Sequence, residues 1–337
     1  MLRKRAGALN RASGTVIRTP IRIYLLITAE TLTKRYGPVT AVDSLSFQVR
    51  PGVVTGFLGP NGSGKSTTMR MIVGLDRPDG GRVRIDGKRH RDLRWPLREV
   101  GALLEAKALY PGRSARSHLL ALAASNAITK QRVDEILEFV GLASVARKRV
   151  GTFSLGMGQR LGIATALLGD PGVLLFDEPI NGLDPEGILW VRTMLNQLAA
   201  EGRTIFISSH LMSEMALTAS DLIVIGRGRL LAASSVEEFI SSNTTESYLV
   251  RSGDQAVLRQ ALEDIAGASV RDAPLHTGVG RAVSTVLEVS GASDEVIGQV
   301  GLAAGVAIFE LRRNRASLEE VFMNVSDASV EYGGREQ

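Results

Sequence analysis

One segment of the sequence combines glycines with a lysine and a hydroxyl residue at a spacing that suits phosphate binding. It reads Gly59-Pro60-Asn61-Gly62-Ser63-Gly64-Lys65-Ser66, followed by Thr67, and it matches the pattern G-x-x-x-x-G-K-S/T. The glycines let backbone N–H groups surround phosphate oxygens. We expect Lys65 to reach the β- and γ-phosphates and the Ser66 hydroxyl to bind Mg²⁺. The segment therefore predicts binding of a nucleoside triphosphate.

Two adjacent acids follow an apolar run, Val173–Asp177, that has the composition of a buried parallel strand. Alone, Asp177 and Glu178 would indicate only a strand that leaves the core. Together with the glycine-rich segment they indicate phosphate chemistry. We expect Asp177 to hold Mg²⁺, directly or through water, and Glu178 to polarise the attacking water as general base.

The elements around these residues alternate between strand and helix from about residue 27 to residue 240, which predicts an α/β domain with a largely parallel sheet. A strand precedes the glycine-rich segment and a helix, Ser66–Val73, follows it. Between the strand-like runs that end at Leu104 and at Asp177 no further strand is predicted, and three predicted helices indicate a helical insert: Ser114–Ser125, Gln131–Val140 and Gly158–Leu168. The strand-like runs are Leu45–Arg50, Val53–Leu58, Val83–Asp86, Val100–Leu104, Val173–Asp177, Thr204–Ser208 and Leu222–Ile225.

After a polar break at residues 241–245 the pattern changes to the order β-α-β-β-α-β. This order predicts a small split-βαβ, ferredoxin-like unit. Its predicted elements are strand 246–252, helix 255–266, strands 268–272 and 284–290, helix 293–304 and strand 306–312. A last helix is expected to begin at Ser317, because Glu320 completes a capping box.

The charge distribution argues against a nucleic-acid partner. The chain has 337 residues and a net charge of +5, and residues 1–30 account for all of it, with six basic side chains against one acid. The body of the chain therefore has no excess of positive charge for a duplex. Residues 1–26 are interpreted as a basic, disordered extension, with a transit peptide or a lipid-contacting leader as alternatives. The absence of cysteine excludes disulfides and thiolate metal sites.

Residues 153–164, Phe-Ser-Leu-Gly-Met-Gly-Gln-Arg-Leu-Gly-Ile-Ala, resemble the signature motif of ABC-transporter ATPases, whose common form is Leu-Ser-Gly-Gly-Gln. Ser154 and Gly156 match this form, whereas Leu155 replaces the first glycine and Met157 the glutamine. The variant is similar to that of exporters of the antibiotic-resistance and lantibiotic-immunity type. Several further residues match the family in order: Tyr36 resembles the aromatic that stacks on adenine, Asp184 belongs to a D-loop-like Gly182-Leu183-Asp184, and His210 resembles the switch histidine.

The chain departs from the family at Glu105, where a glutamine is usual. A carboxylate can still coordinate Mg²⁺ or its water, but it cannot donate hydrogen bonds as glutamine does. The resemblance implies ATP and Mg²⁺ as cofactors and Lys65, Glu178 and His210 as catalytic residues. It implies Ser66, Asp177 and Glu105 as metal ligands. Tyr36, Glu105, Ser154, Gly156 and Asp184 join residues 59–67 as the expected nucleotide contacts.

The resemblance implies an α/β fold of the P-loop NTPase type: an ABC cassette with a mostly parallel sheet, an antiparallel β edge and a helical subdomain, plus a small C-terminal α+β ferredoxin-like domain. The expected boundaries are 27–240 for the cassette, about 105–170 for its helical subdomain and 246–330 for the accessory or regulatory domain. Two cassettes would pack head to tail as a homodimer, so that Ser154 and Gly156 of one face the ATP held by the other.

A separate polytopic permease is the implied membrane partner, because no uninterrupted apolar stretch approaches the ~18 residues of a membrane span. Residues 106–118, with Tyr110 and Pro111, would face that partner. The expected function is an ATPase that energises export of a drug, antibiotic peptide or lipid-like substrate, peripheral at the cytoplasmic face of the cell membrane. A soluble ABC ATPase acting on ribosomes or DNA is the alternative, disfavoured by the single cassette and by the short interval between residues 65 and 154. An importer ATPase is disfavoured by Glu105 and Leu155.

Overall fold

A computed structural model of the chain describes residues 26–105, 109–244, 246–275, 284–314, 316–323 and 325. Residues 1–25 of the predicted basic extension, residues 106–108 of the predicted partner surface and residues 276–283, 315, 324 and 326–330 of the predicted C-terminal domain lie outside these ranges. The strands are β1 (Ile27–Tyr36), β2 (Val39–Val49), β3 (Val54–Leu58), β4 (Gly80–Ile85), β5 (Val100–Leu103), β6 (Val173–Asp177), β7 (Thr204–Ser208), β8 (Asp221–Gly226), β9 (Arg229–Ser235), β10 (Ser247–Ser252), β11 (Ser269–Leu275), β12 (Ser284–Ser290) and β13 (Ile308–Asn314).

The helices alternate with these strands over most of the chain. They are α1 (Lys65–Ile72), α2 (Pro96–Glu99), α3 (Ala115–Ser125), α4 (Lys130–Phe139), α5 (Leu155–Leu167), α6 (Pro185–Ala200), α7 (Met212–Thr218), α8 (Val236–Ser242), α9 (Gln255–Glu263) and α10 (Asp294–Ala303). Within the part of the chain that the structure describes, no helix combines the length and apolarity that a membrane span requires.

A six-stranded sheet with the order β5-β6-β7-β3-β8-β9 forms the centre of the described residues up to residue 240. All its neighbouring pairs are parallel except β8 and β9, which are antiparallel. All five residues of β3 and of β7 are buried, as expected for parallel strands covered on both faces. The predicted mostly parallel sheet with an antiparallel edge is confirmed. The carboxyl ends of β5, β6, β7 and β3 meet at one edge, and this edge positions the site.

Two apolar cores lie against this sheet. One contains Phe47, Phe57 and Phe206, whose rings lie 4.8 to 5.9 Å apart, together with residues of α1 and of an antiparallel sheet β2-β1-β4. The other contains residues of α3, α4, α5 and α6. The predicted helical insert between β5 and β6 is confirmed, although α5 begins at Leu155 rather than at Gly158.

The C-terminal strands form a separate antiparallel sheet with the order β11-β12-β10-β13. With α9 after β10 and α10 after β12, this arrangement has the order predicted for a split-βαβ unit. Helical residues 318–323 follow, and the predicted capping box is present: Ser317 N–H donates to the carboxylate of Glu320 at 2.8 Å, and Glu320 N–H donates to the hydroxyl of Ser317 at 3.2 Å. Leu318, Val321 and Phe322 then return to the apolar core that contains α3–α6.

Candidate nucleotide-binding and catalytic site

The loop between β3 and α1 has a backbone that requires glycine at two positions. Gly64 precedes α1 with φ +103°, and a Cβ there would lie 2.4 Å from the carbonyl oxygen of Ala41. At Gly59 a Cβ would lie 2.4 Å from the hydroxyl of Ser63. Side chains at either position would displace the loop from the start of α1. The loop therefore surrounds the N-terminus of α1, whose free N–H groups and positive dipole end favour an anion.

Lys65 lies inside this loop, with only 8% of its surface exposed. Its Nζ donates hydrogen bonds to the carbonyl oxygens of Gly59 at 2.6 Å and Pro60 at 3.1 Å. Burial lowers the pKa of the ammonium group, and the nearby carboxylates of Glu178 and Asp177 oppose that shift. The loop thus holds a cation at its centre, facing two acids.

Asp177 connects the loop to β7 through two hydroxyl groups. The Ser66 hydroxyl donates to Oδ2 of Asp177 at 2.7 Å, and the Ser208 hydroxyl donates to Oδ1. The position of Ser208 follows from the sheet, because it pairs with Asp177 on one side and with Phe57 on the other. The hydroxyl and carboxylate oxygens of Ser66 and Asp177 are the hard donors that Mg²⁺ prefers.

In the described residues no group of three or more His, Cys, Asp or Glu side chains is arranged to hold a metal ion. A complete protein cage is not needed for Mg²⁺, which usually binds through one or two protein oxygens together with phosphate oxygens and waters. The pair formed by Ser66 and Asp177 fits that mode of binding.

Glu178 has an unusual backbone conformation, with φ +53°. Its N–H lies 3.1 Å from the hydroxyl oxygen and 3.2 Å from the carbonyl oxygen of Ser208. Its Oε2 lies 2.8 Å from Nδ1 of His210, and its carbonyl oxygen accepts a bond of 3.0 Å from Nε2 of Gln159. A carboxylate and an imidazole thus lie side by side next to the lysine loop, an arrangement that can orient and deprotonate a water molecule.

Ser154 and Gly156 form a second group at the start of α5. The Ser154 hydroxyl accepts a hydrogen bond of 3.2 Å from the N–H of Met157 and caps the helix. Leu155 is 54% exposed, and its side chain is so close to Gly182 that a Cβ there would lie 2.2 Å from Leu155 Cδ2. Asp184 caps α6 in the same way, accepting from Gly187 N–H at 3.0 Å. The helix cap at Ser154 is exposed, so it can meet another molecule.

Tyr36 lies at the end of β1 with 47% of its surface exposed. Its hydroxyl donates to Asp76 at 2.9 Å, and the Nζ of Lys34 lies 5.3 Å from the ring centroid. Desolvation and Asp76 raise the pKa of Tyr36. Glu105 is exposed and follows β5, whose Leu103 pairs with Phe176. It therefore lies at the edge of the sheet where Asp177 ends β6.

The structure brings five predicted residues together: Lys65, Ser66, Asp177, Glu178 and His210. It places Gly156 beside the segment 182–183 instead, with Ser154 two residues earlier at the cap of α5, and Tyr36 beside residues 34 and 76. Sequence reasoning missed Ser208 and Gln159. The signal that could have identified Ser208 is its position, because it is a polar residue at the end of an apolar strand next to β6. The polar amide of Gln159, in a helix whose other buried residues are apolar or glycine, is a weaker one.

Comparisons with known proteins agree with this geometry. A family profile described as ABC transporter matches residues 42–181, and a profile for a domain of unknown function matches residues 247–319. The bacitracin transport ATP-binding protein BcrA of Bacillus licheniformis is 45% identical over 61% of this chain and 68% of its own length. The lantibiotic transport ATP-binding protein SrtF of Streptococcus pyogenes is 35% identical over 61% of this chain and 89% of its own. A solved ATP-binding subunit of an ABC transporter superposes with a TM-score of 0.59 at 27% identity, over 64% of this chain and 92% of that one.

Proposed function

This chain belongs to the ABC transporter family and is an ABC-type ATPase, and from that membership we propose that it is the nucleotide-binding subunit that energises an exporter through a separate membrane subunit. The observation that carries the proposal is the convergence of Lys65, Ser66, Asp177, Glu178 and His210 at one edge of the parallel sheet. The phosphate-binding loop, the Ser66 hydroxyl, the two carboxylates and the imidazole are the groups that ATP hydrolysis requires.

Lys65 and the N–H groups at the start of α1 bind the β- and γ-phosphates, and Tyr36 stacks on the adenine. Ser66 and Asp177 hold Mg²⁺, with Glu105 beside them. When bound, Mg²⁺ neutralises charge on the phosphate oxygens. Ser208 keeps Asp177 oriented, because its hydroxyl donates to the carboxylate oxygen opposite Ser66.

Glu178 acts as general base and accepts the proton of the attacking water. His210, 2.8 Å away at Nδ1, orients the carboxylate and contacts the γ-phosphate. Because the two side chains follow neighbouring parallel strands, their spacing is set by the sheet rather than by a long loop.

In the proposed head-to-tail homodimer, each chain contributes one half of each of the two ATP sites. The start of α5 is exposed, and its N-terminus favours an anion. Ser154 and Gly156 therefore face the γ-phosphate bound by the other subunit, with Asp184 at the same interface. ATP stabilises the closed dimer, and hydrolysis removes that contribution.

Export is proposed because two relatives carry the names of bacitracin and lantibiotic transport proteins. The partner is a polytopic permease, which places this subunit at the cytoplasmic face of the cell membrane. The cassette spans about residues 27–240, and residues 246–330 form an accessory or regulatory domain, apart from Leu318, Val321 and Phe322, which pack in the core that contains α3–α6. A drug, an antibiotic peptide or a lipid-like compound is the proposed substrate class.

Affinity purification from detergent-solubilised membranes tests the proposal. We expect the tagged protein to retain a polytopic membrane protein, and we expect reconstitution with that protein to change its ATPase rate. A variant with Lys65→Met should retain the same partner without hydrolysis, which separates assembly from catalysis. Recovery with ribosomes or DNA in place of a membrane protein would contradict the exporter assignment.

A further inference from the structure

The buried side-chain amide of Gln159 joins α5 to the backbone of Glu178. Gln159 is only 2% exposed, and the other buried residues of its helix are apolar or glycine. Its Nε2 donates a hydrogen bond of 3.0 Å to the carbonyl oxygen of Glu178. Buried amides are retained where they find partners, and this contact gives the amide of Gln159 such a partner in the backbone carbonyl of Glu178.

The backbone of Glu178 is held from both sides. Its N–H is bound by Ser208 at the end of β7, and its carbonyl is bound by Gln159 from α5. With φ +53° the residue occupies the left-handed region that L-residues rarely adopt. Such a conformation persists only where the surroundings fix it. The two contacts therefore set the direction in which the carboxylate points, toward His210.

The start of the same helix, α5, includes Ser154 and Gly156, which form the half-site proposed to face the ATP bound by the second subunit. Ser154 caps α5, and Gln159 lies five residues further along, about 7.5 Å for a helix. A second contact ties this helix start to the segment after Glu178, because Leu155 packs directly on Gly182. The start of α5 and the backbone of Glu178 are thus connected over a short distance by a packed side chain and a hydrogen bond.

We propose that Gln159 is a positioning residue that orients Glu178 and links it to the half-site at Ser154; this rests on the function proposed above. In the head-to-tail dimer the start of α5 contacts ATP held by the other subunit, while Gln159 of the same helix holds Glu178 of its own chain. Closure around one ATP molecule therefore fixes the general base that acts on the other.

Steady-state ATP hydrolysis by the full chain with Gln159→Met tests this role. Methionine keeps the length and flexibility of the side chain but removes the donor. We expect kcat to fall by about 10- to 100-fold, as for a misplaced catalytic group, with KM for ATP within about twofold of the wild type. By contrast, Ser154→Ala should raise KM, because it alters the surface that meets ATP.

A matched control separates positioning from general loss of stability. Asn126 is another buried amide, 7% exposed, and binds the carbonyl of Leu122 and the N–H of Leu97, each at 3.2 Å. Asn126→Leu should lower the melting temperature comparably and leave kcat unchanged. If Gln159→Met does not fold, Gln159→Asn keeps an amide that is one methylene too short, and we expect it to lose kcat as well.

Three results would overturn the proposal: a wild-type kcat in the variant that folds, a rise in KM without loss of kcat, or an equal loss of kcat in Asn126→Leu. Failure of the proposed function would appear differently, as recovery of the tagged wild-type protein with ribosomes or DNA in place of a membrane protein.

Discussion

Nδ1 of His210 lies 2.8 Å from Oε2 of Glu178, although the two residues are 32 positions apart in the sequence. Each follows the carboxyl end of one of two adjacent parallel strands, β6 and β7, whose register pairs Asp177 with Ser208. The sheet therefore sets the spacing of the imidazole and the carboxylate before any ligand binds. The rate of ATP turnover should therefore depend on the residues that hold these two side chains in place.

Replacement of the general base should separate ATP binding from hydrolysis. Glu178→Gln preserves shape but cannot accept the proton of water, so we expect kcat to fall by about 10²- to 10⁴-fold with ATP binding retained. Size-exclusion chromatography with ATP should show a trapped dimer. Glu237→Gln, an exposed change in α8, is the control. Wild-type turnover by the Glu178→Gln protein would show that the base lies elsewhere.

Ser208 should matter for both stability and activity. Its buried hydroxyl donates to Asp177 and lies within hydrogen-bond distance of the N–H of Glu178. Ser208→Ala leaves these groups without that partner, so we expect a loss of about 1–3 kcal/mol in the free energy of unfolding and a fall in kcat of about tenfold. Denaturant titration and a phosphate-release assay measure the two effects. Ser247→Ala, which removes a buried hydroxyl that donates to Glu288 at 2.7 Å in the C-terminal sheet, should lower stability alone; equal turnover in both variants would argue against the role of Ser208.

Glu105 should weaken ATP binding through its charge. The side chain is exposed and follows β5 at the edge of the sheet where Asp177 ends β6, so its charge would repel the phosphates of a bound ATP. Glu105→Gln should therefore lower KM for ATP by about two- to fivefold at low salt, and the effect should shrink as salt screens the charge. Glu138→Gln on α4 is the control. A higher KM in Glu105→Gln would mean that coordination of Mg²⁺ by the carboxylate outweighs the repulsion.

Glu288 should make the stability of the C-terminal sheet dependent on pH. Arg271 above all, with Ser247 and Asn314, lowers the pKa of this buried carboxylate below its ordinary value of 4.5. The ionised form therefore stabilises the fold above pH 4.5, and this contribution is lost as the pH falls through the lower folded-state pKa.

Thermal melts across that range check the effect. The melting temperature of Glu288→Gln should lie below that of the wild type at pH 7, and the difference should shrink below pH 4.5. Glu295→Gln, an exposed change at the start of α10, should show no such trend. A constant difference at every pH would refute the assignment.

The sequence predicted the strands that are buried on both faces, because apolar residues predominate in β3, β6 and β7. It did not predict β1, whose pairing with β2 contains several register shifts that break the alternation of side chains. It also missed β9, a half-exposed edge strand that begins with Arg229 and ends in the small residues Ala-Ala-Ser-Ser. The start of α5 was placed too late, because glycines at 156 and 158 obscure the helical pattern.

The candidate site was predictable where residue type and strand position together define the chemistry, as at Lys65, Asp177 and Glu178. The contacts of Ser208 and Gln159 were not predictable, because they depend on strand register and helix packing between residues far apart in the sequence. Periodicity places a residue on a face but does not identify its partner.

Leu318, Val321 and Phe322 fill the core beneath the helices of the ATPase region, after the chain has already passed through the C-terminal sheet. Truncation of the polypeptide at residue 245 would therefore remove three large apolar side chains from the core that contains α3–α6. The apolar surface that they cover would then be exposed to water. A shortened protein that contains only the ATPase region should therefore be fused to residues 316–325. Without these residues we expect it to aggregate.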